Sequence, residues 1–227
     1  MGRSAGVLGQ DWTNDSTLSN AKHQLSELIT RDKNRASVVI WSIGNETPAT
    51  DAREKFMETL ASHVRLLDDT RLVSAALLAD EKNNVIELND PLGSKVDVVS
   101  FNEYYGWYVG GLPKEISKYS FKINYDKPVI ISEFGAEALG GYHADADTRW
   151  SEEYQESFFQ NQLKLITTID GLRGTSPWIL VDFRSPKRLN PAYQDGWNRK
   201  GLISSTGQKK KAFFVMKQFY DSVQKRD

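Results

Sequence analysis

Two carboxylates stand where unbroken apolar runs stop. "SVVIWSIGNETPA", residues 37–49, carries Val38, Val39, Ile40, Trp41 and Ile43 and then breaks into Asn45 and Glu46; "KPVIISEFGAEA", residues 127–138, repeats the design and closes on Glu133. Two carboxyl groups facing one cavity can hydrolyse a glycosidic bond: one protonates the leaving oxygen, the other attacks the anomeric carbon or activates water. A metal could recruit such a pair instead, but no H-x-x-x-H pair or Asp/His cluster accompanies them, so no metal and no cofactor is expected. Taken singly, each Glu also suits a solvated strand end, with Asn45, Thr47 and Pro48 supplying the turn and cap of a following helix. Asn102, Tyr104 and Asp182 likewise close apolar runs.

These residues need elements to hold them. "TLSNAKHQLSELITRDKN" (17–34) spaces Leu18, Ala21, Leu25, Leu28 and Ile29 as an amphipathic helix leading into the 37–43 strand. A second helix over 51–70 precedes a strand at Leu72 to Leu78. "NNVIELND" (83–90) reads as a short helical turn, and "KVDVVSFNEYYGWYVGG" (95–111) as a strand ending in a polar and aromatic cluster. "LPKEISKYSFKINY" (112–125) suggests a helix, and 150–170 a strong one with Ser151 as N-cap. A strand "SPWILVDF" (176–183), a polar loop and a helix over 209–226 complete the chain. Alternating helices and nearly continuous apolar strands predict a parallel sheet covered by helices. No glycine-rich nucleotide turn of the G-x-G-x-x-G type occurs, and polar groups at several strand ends are the habit of a (β/α) barrel. The fold class expected is α/β, a TIM-type (β/α)8 barrel of which five strands are visible. Residues 1–18 read as a loop or truncated start, and 19–227 as one barrel domain.

Composition narrows the partners. A chain of 227 residues with net charge −1 and no long Lys/Arg run offers no dedicated nucleic-acid or membrane surface. The absence of cysteine removes disulfides, thiol nucleophiles and Cys-based zinc sites. The start lacks the apolar core of a signal peptide, which favours a cytoplasmic placement, although the start looks truncated. Six Trp and nine Tyr suit a sugar site, whose C–H surfaces stack on flat rings, and suit a packed core equally. Trp41 is read as core.

The order and spacing of "VVIWSIGNE", then "FNEYYGWYVGG", "VIISEFG" and "RWSEEYQ", resemble glycoside hydrolase family 2, the group of retaining β-glucuronidases and β-galactosidases, from about residue 20 to residue 220. The resemblance implies that Glu46 is the general acid/base, that Glu133 is the nucleophile, and that Asn45 hydrogen-bonds the sugar 2-hydroxyl. It implies further that Tyr104 holds and tunes the nucleophile, and that Trp178 forms part of the sugar-site floor, where a core role is the alternative. In "DGWNRKG" (195–201), Asn198 and Lys200 match the Asn-x-Lys motif by which β-glucuronidases grip the C6 carboxylate of their sugar. The chemistry fits, since Lys brings a point charge and the amide a neutral donor. Arg184, Lys187 and Arg188 in "DFRSPKRLNP" face an anion or form a solvated basic rim, and His143 is read as incidental.

Complete family members carry β-sandwich domains and three barrel strands ahead of the region matched here. A piece with two unpaired sheet edges should associate with the missing strands, or within a homo-oligomer of the parent, and should show weak or no activity alone. The expected activity is that of a retaining exo-β-glucuronidase acting on β-glucuronides. The alternatives are a β-galactosidase or galacturonidase of the same family, and a non-catalytic sugar-binding or assembly module.

Overall fold

The computed structural model describes residues 10–224. Residues 1–9, half of the expected starting loop, and the last residues of the expected terminal helix lie outside them. A 3-10 turn at Gln10–Thr13 leads into α1 (Asp15–Asp32), so helix replaces the expected loop over 15–18. The Asn14 side chain sets that start by accepting from the Thr17 N–H at 2.9 Å. Next come β1 (Ile40–Asn45), α2 (Asp51–Leu67), β2 (Leu72–Leu77), β3 (Asp80–Lys82), β4 (Val85–Leu88) and β5 (Val98–Glu103). Then follow β6 (Ser120–Ile123), β7 (Val129–Phe134), α3 (Glu152–Ile166), β8 (Leu172–Pro177), the short β9 (Phe183–Arg184) and β10 (Trp197–Asn198), and α4 (Lys211–Gln224).

Two compact units emerge. The first comprises residues up to Asn102, Phe121–Ile130 and Gly171–Gly174. In it β1 pairs with β2 and β2 with β5, both in parallel, and the starts of β7 and β8 extend the sheet. There the Val99 N–H donates to Pro128 O and the Val129 N–H to Gly171 O, both at 3.0 Å. The five-stranded order β1-β2-β5-β7-β8 is the parallel, helix-covered sheet expected of a barrel segment. Trp41 and Ile43 of β1 and Phe56, Met57, Leu60 and Val64 of α2 are buried, because α2 carries its apolar residues at a spacing of three and four. Trp41 is core as expected. Its indole N–H donates to Asp68 Oδ2 at 2.9 Å.

Three sequence expectations are corrected. Residues 85–88 form a strand rather than a helical turn: Asn83 and Asn84 both take positive φ (54° and 62°), which makes a two-residue hairpin turn joining β3 to β4. The 112–125 segment is helical only as a 3-10 turn over Pro113–Lys118 and then alternates exposed and half-buried residues as β6. The last sheet strand is Leu172–Pro177 and stops before Trp178, whereas 176–183 was expected.

The second unit comprises Glu103–Ser120, Ile131–Asp170 and the chain from Thr175 onward. Its core gathers Phe134, Tyr154, Phe158, Phe159 and Ile166, all fully buried, with Met216 of α4. Ser151 caps α3 as expected, accepting from the Tyr154 N–H at 3.0 Å. Beyond β8 the chain bonds to the segment around Lys200: the Ile179 N–H donates to Lys200 O, and Leu202 and Ile203 return bonds to Ile179 and Leu180. This exchange, with the β9/β10 pair, fixes the loop that carries Asn198 and Lys200.

Candidate active site

In the first unit, the sequence candidates are Asn45 and Glu46. A register shift between Ser42 and Asn45 ends the regular pairing of β1 with β2. Glu46 then adopts φ 50°, a left-handed conformation that a non-glycine residue seldom takes, with its N–H held by Ala76 O at 2.9 Å. Such local strain persists only where surrounding bonds impose it, and it gathers at functional positions. Glu46 and Asn45 are exposed, and Asn45 Oδ1 accepts from Asn102 Nδ2 at 3.0 Å. That bond orients the Asn45 amide and leaves its Nδ2 as the group available to donate to a ligand hydroxyl.

The second unit brings Tyr104 and Glu133 together. The phenol of Tyr104, one residue beyond β5, donates to Glu133 Oε2 at 2.8 Å at the end of β7. A hydrogen bond aimed at a carboxylate favours its ionised form. Trp178 stands beside the same strand end: its N–H donates to Phe134 O at 2.8 Å, and Gly135 makes this approach possible. A Cβ on Gly135 would lie 2.3 Å from Trp178 O, inside any contact distance. Half-buried Trp178 meets Phe183 edge-on, with ring centroids 6.0 Å apart.

Asn198 and Lys200 are both buried. Asn198 Oδ1 accepts from the Lys200 N–H at 3.0 Å, so the amide folds back on its own loop and keeps Nδ2 for a ligand. The Lys200 ammonium donates to the Tyr108 hydroxyl and lies 3.5 Å from Glu137 Oε1. Sequence reasoning passed over Glu137, which follows Glu133 by four residues. It is fully buried and gathers Gln194 Nε2 at 2.9 Å, the Arg199 N–H at 3.0 Å and Arg188 Nη1 at 3.2 Å. Arg188, read as facing an anion or forming a solvated rim, also donates to Tyr108 Oη at 3.0 Å and remains partly exposed. Two cations therefore share one internal carboxylate, and the cluster of Lys200, Arg188 and Glu137 carries one net positive charge. Arg184 and Arg199 lie over the Trp197 ring, 5.1 and 5.3 Å from its centroid, and clamp the strand that ends in Asn198.

Asp182, expected among the functional strand ends, is a structural tie. It is buried, accepts the Lys210 ammonium at 2.9 Å and the Gly201 N–H at 2.9 Å, and Lys210 also donates to Ala138 O and Arg199 O. His143 is exposed and pairs with Glu153 at 2.9 Å. Burial pushes the Glu153 carboxyl up, but His143, the Ala144 N–H and Lys211 together pull it down to about 2.

Residues 4–225 match the family described as glycosyl hydrolases family 2, TIM barrel domain. A β-glucuronidase of Paenibacillus borealis is 30% identical over 218 residues, covering 91% of this chain and 34% of the relative. Among solved structures, a β-glucuronidase of an uncultured Clostridium sp. superposes with TM-score 0.79 at 30% identity, over 96% of this chain and 38% of that one. A family 2 β-galacturonidase from Eisenbergiella tayi, bound to galacturonate, gives TM-score 0.78 at 26% identity, over 94% and 38% of the two chains. The chain thus spans about a third of the length of such relatives.

Proposed function

Because the chain belongs to glycoside hydrolase family 2 through its TIM barrel domain, we propose that it supplies the catalytic carboxylates of a retaining exo-β-glucuronidase. In this reading Glu133 attacks the anomeric carbon while Glu46 protonates the glycosidic oxygen, which leaves with its aglycone as an alcohol or phenol. Water then hydrolyses the glycosyl ester on Glu133, giving up a proton to Glu46, and the sugar departs with its original anomeric configuration. Tyr104 holds and aims Glu133, Asn45 donates to the sugar 2-hydroxyl, and Trp178 forms part of the floor.

One observation carries the choice of a uronide: buried Lys200 and Glu137, with partly exposed Arg188, have one positive charge in excess on the loop that also carries Asn198. A substrate carboxylate neutralises that charge, whereas the C6 hydroxyl of a galactoside leaves it uncompensated. A β-galacturonide presents the same carboxylate and differs at C4, and the likeness to a galacturonidase favours it as the second reading.

The test compares hydrolysis of aryl β-glucuronide, β-galacturonide and β-galactoside by the protein carrying this chain. Lys200→Ala should damage uronide turnover selectively, by about 2 to 5 kcal/mol in kcat/KM, the cost of removing one member of a buried, hydrogen-bonded charge pair. Equal losses on the galactoside would sink the assignment. Undiminished turnover in Glu133→Ala would end the assignment of Glu133 as nucleophile, and an absence of turnover in the wild-type protein would leave a sugar-binding module.

A further inference from the structure

Glu103 is a buried carboxyl that the reaction above does not use. It lies between Asn102 and Tyr104 at the end of β5 and is 1% exposed. Its Oε1 accepts from the Tyr105 N–H at 2.8 Å, while Oε2, also buried, has no hydrogen-bond partner. Across from it on α3 stands the Gln162 side chain, within hydrogen-bonding reach of the carboxyl. Gln162 Nε2 donates to Tyr105 O at 2.6 Å, and its Oε1 is a second buried acceptor without a partner. The Tyr105 carbonyl can only accept, so it fixes the amide with Nε2 toward itself. Two buried acceptors are left without protein donors, an arrangement that costs free energy and that one proton shared between them relieves.

We propose that Glu103 is a neutral carboxylic acid in the working protein, its Oε2–H donating to Gln162 Oε1, and that this pair positions Tyr104. One proton satisfies both orphaned oxygens. Glu103 then holds the Tyr105 N–H and Gln162 the Tyr105 C=O, so the residue directly after Tyr104 is clamped from both sides, and the Tyr104 phenol is delivered to Glu133. Burial pushes the Glu103 carboxyl up to about 8, and the Tyr105 N–H pulls against it. Among the described residues no Lys, Arg, His, Asp or other Glu acts on it; its neighbours are the Tyr105 backbone and the neutral Gln162 amide.

The test uses two variants. Glu103→Gln keeps the shape and supplies a permanent N–H where the acid has its O–H, whereas Glu103→Leu removes both hydrogen bonds. A group whose folded pKa is raised binds an extra proton in the native state, so stability falls as pH climbs from the unfolded carboxylate range, about 4.3, toward the folded value. Urea unfolding between pH 5.5 and 7.5 should therefore show the folding constant of wild type falling about tenfold per pH unit relative to Glu103→Gln. A protonated-carboxyl C=O band should appear in the infrared spectrum of wild type and vanish in Glu103→Gln. A pH-independent ratio, a missing band, or a Glu103→Gln protein that does not fold would overturn the neutral acid. The positioning role rests on the hydrolase reading. On an aryl β-glucuronide, Glu103→Leu should lower kcat with KM held while Glu103→Gln keeps wild-type kcat; unchanged kcat in Glu103→Leu would overturn that role. If wild type hydrolyses no glycoside, the hydrolase reading has failed, and the unfolding and infrared arms still decide the state of Glu103.

Discussion

Tyr104→Phe isolates one hydrogen bond. The variant deletes the hydroxyl that donates to Glu133 Oε2 at 2.8 Å and keeps the ring, whose centroid lies 5.1 Å from that of Tyr108. Packing around the ring is therefore retained, and a loss in rate reports on the bond. A hydrogen bond to a charged acceptor is worth about 1.5 to 3 kcal/mol net. Losing it from the step in which Glu133 attacks the anomeric carbon divides the rate constant by about ten to about 150, at 1.36 kcal/mol per decade. The assay is steady-state hydrolysis of an aryl β-glucuronide by the protein that carries this chain, with pre-steady-state release of the phenol separating attack from the later hydrolysis. The reduction should fall on kcat while KM stays within about twofold, because in the proposed mechanism the hydroxyl serves the nucleophile and not the C6 carboxylate. Wild-type kcat in a folded Tyr104→Phe protein would refute the reasoning. A rise in KM alone would do the same, since it would make Tyr104 a sugar contact.

Gly135→Ala should lower the unfolding midpoint by several degrees and depress turnover, because its Cβ meets Trp178 O at 2.3 Å and a backbone atom cannot swing aside; a scanning thermal melt checks it. Asp68 contributes to acid stability in the first unit. The Thr70 hydroxyl, the Trp41 indole and Arg71 hold its carboxyl well below the usual carboxylate range despite burial. With a depressed folded pKa, its contribution is full above about pH 4 and is lost as pH falls through the folded value. Asp68→Asn should thus cost about 1 to 3 kcal/mol at pH 7, and the gap to wild type should narrow below pH 4; a gap that is flat from pH 7 to pH 2 would contradict this.

Elements written in local sequence were legible. The apolar runs of β1 and β7, the spacing of α2 and the Ser151 cap needed only neighbours within four residues. Residues 83–90 were misread because the apolar residues there are few and the turn is Asn-Asn, without the glycine that usually marks a two-residue hairpin. The strand before Trp178 was placed too late because "WILV" looks like a sheet run, yet those residues bond across to 200–203. The family resemblance linked Tyr104 to Glu133, and a hydrogen bond joins the two. Glu137 was not foreseen, because its partners Arg188, Gln194, Arg199 and Lys200 lie in one irregular stretch 51 to 63 residues downstream of it, and Tyr108 joins only through Lys200. No periodicity encodes such a convergence. The only local signal was a second glutamate in "SEFGAEA" at a spacing that carries it past the strand end.

That convergence also suits Lys200 to the recognition role proposed for it. An unpaired ammonium taken from water either costs several kcal/mol or gives up its proton, and in either case it is useless to a carboxylate ligand. Glu137 removes this problem for Lys200, at 3.5 Å, without cancelling its charge, because Arg188 brings a second cation to the same carboxylate and the Tyr108 hydroxyl accepts from both. Gln194 and the Arg199 N–H occupy the remaining lone pairs of Glu137, so that the carboxylate is held in place rather than drawn onto one cation. Below the same loop, Lys210 donates to Asp182 Oδ1, Ala138 O and Arg199 O, which ties the loop to the segment after β7. The unit thus separates two uses of buried charge. Lys210 commits its bonds to Asp182 and two backbone carbonyls, with Arg199 a second cation 3.7 Å from Asp182 Oδ2, and so fixes the backbone; the cluster around Glu137 holds one positive charge in excess beside the loop of Asn198, and that is the condition under which a carboxylate in a ligand becomes a favoured partner.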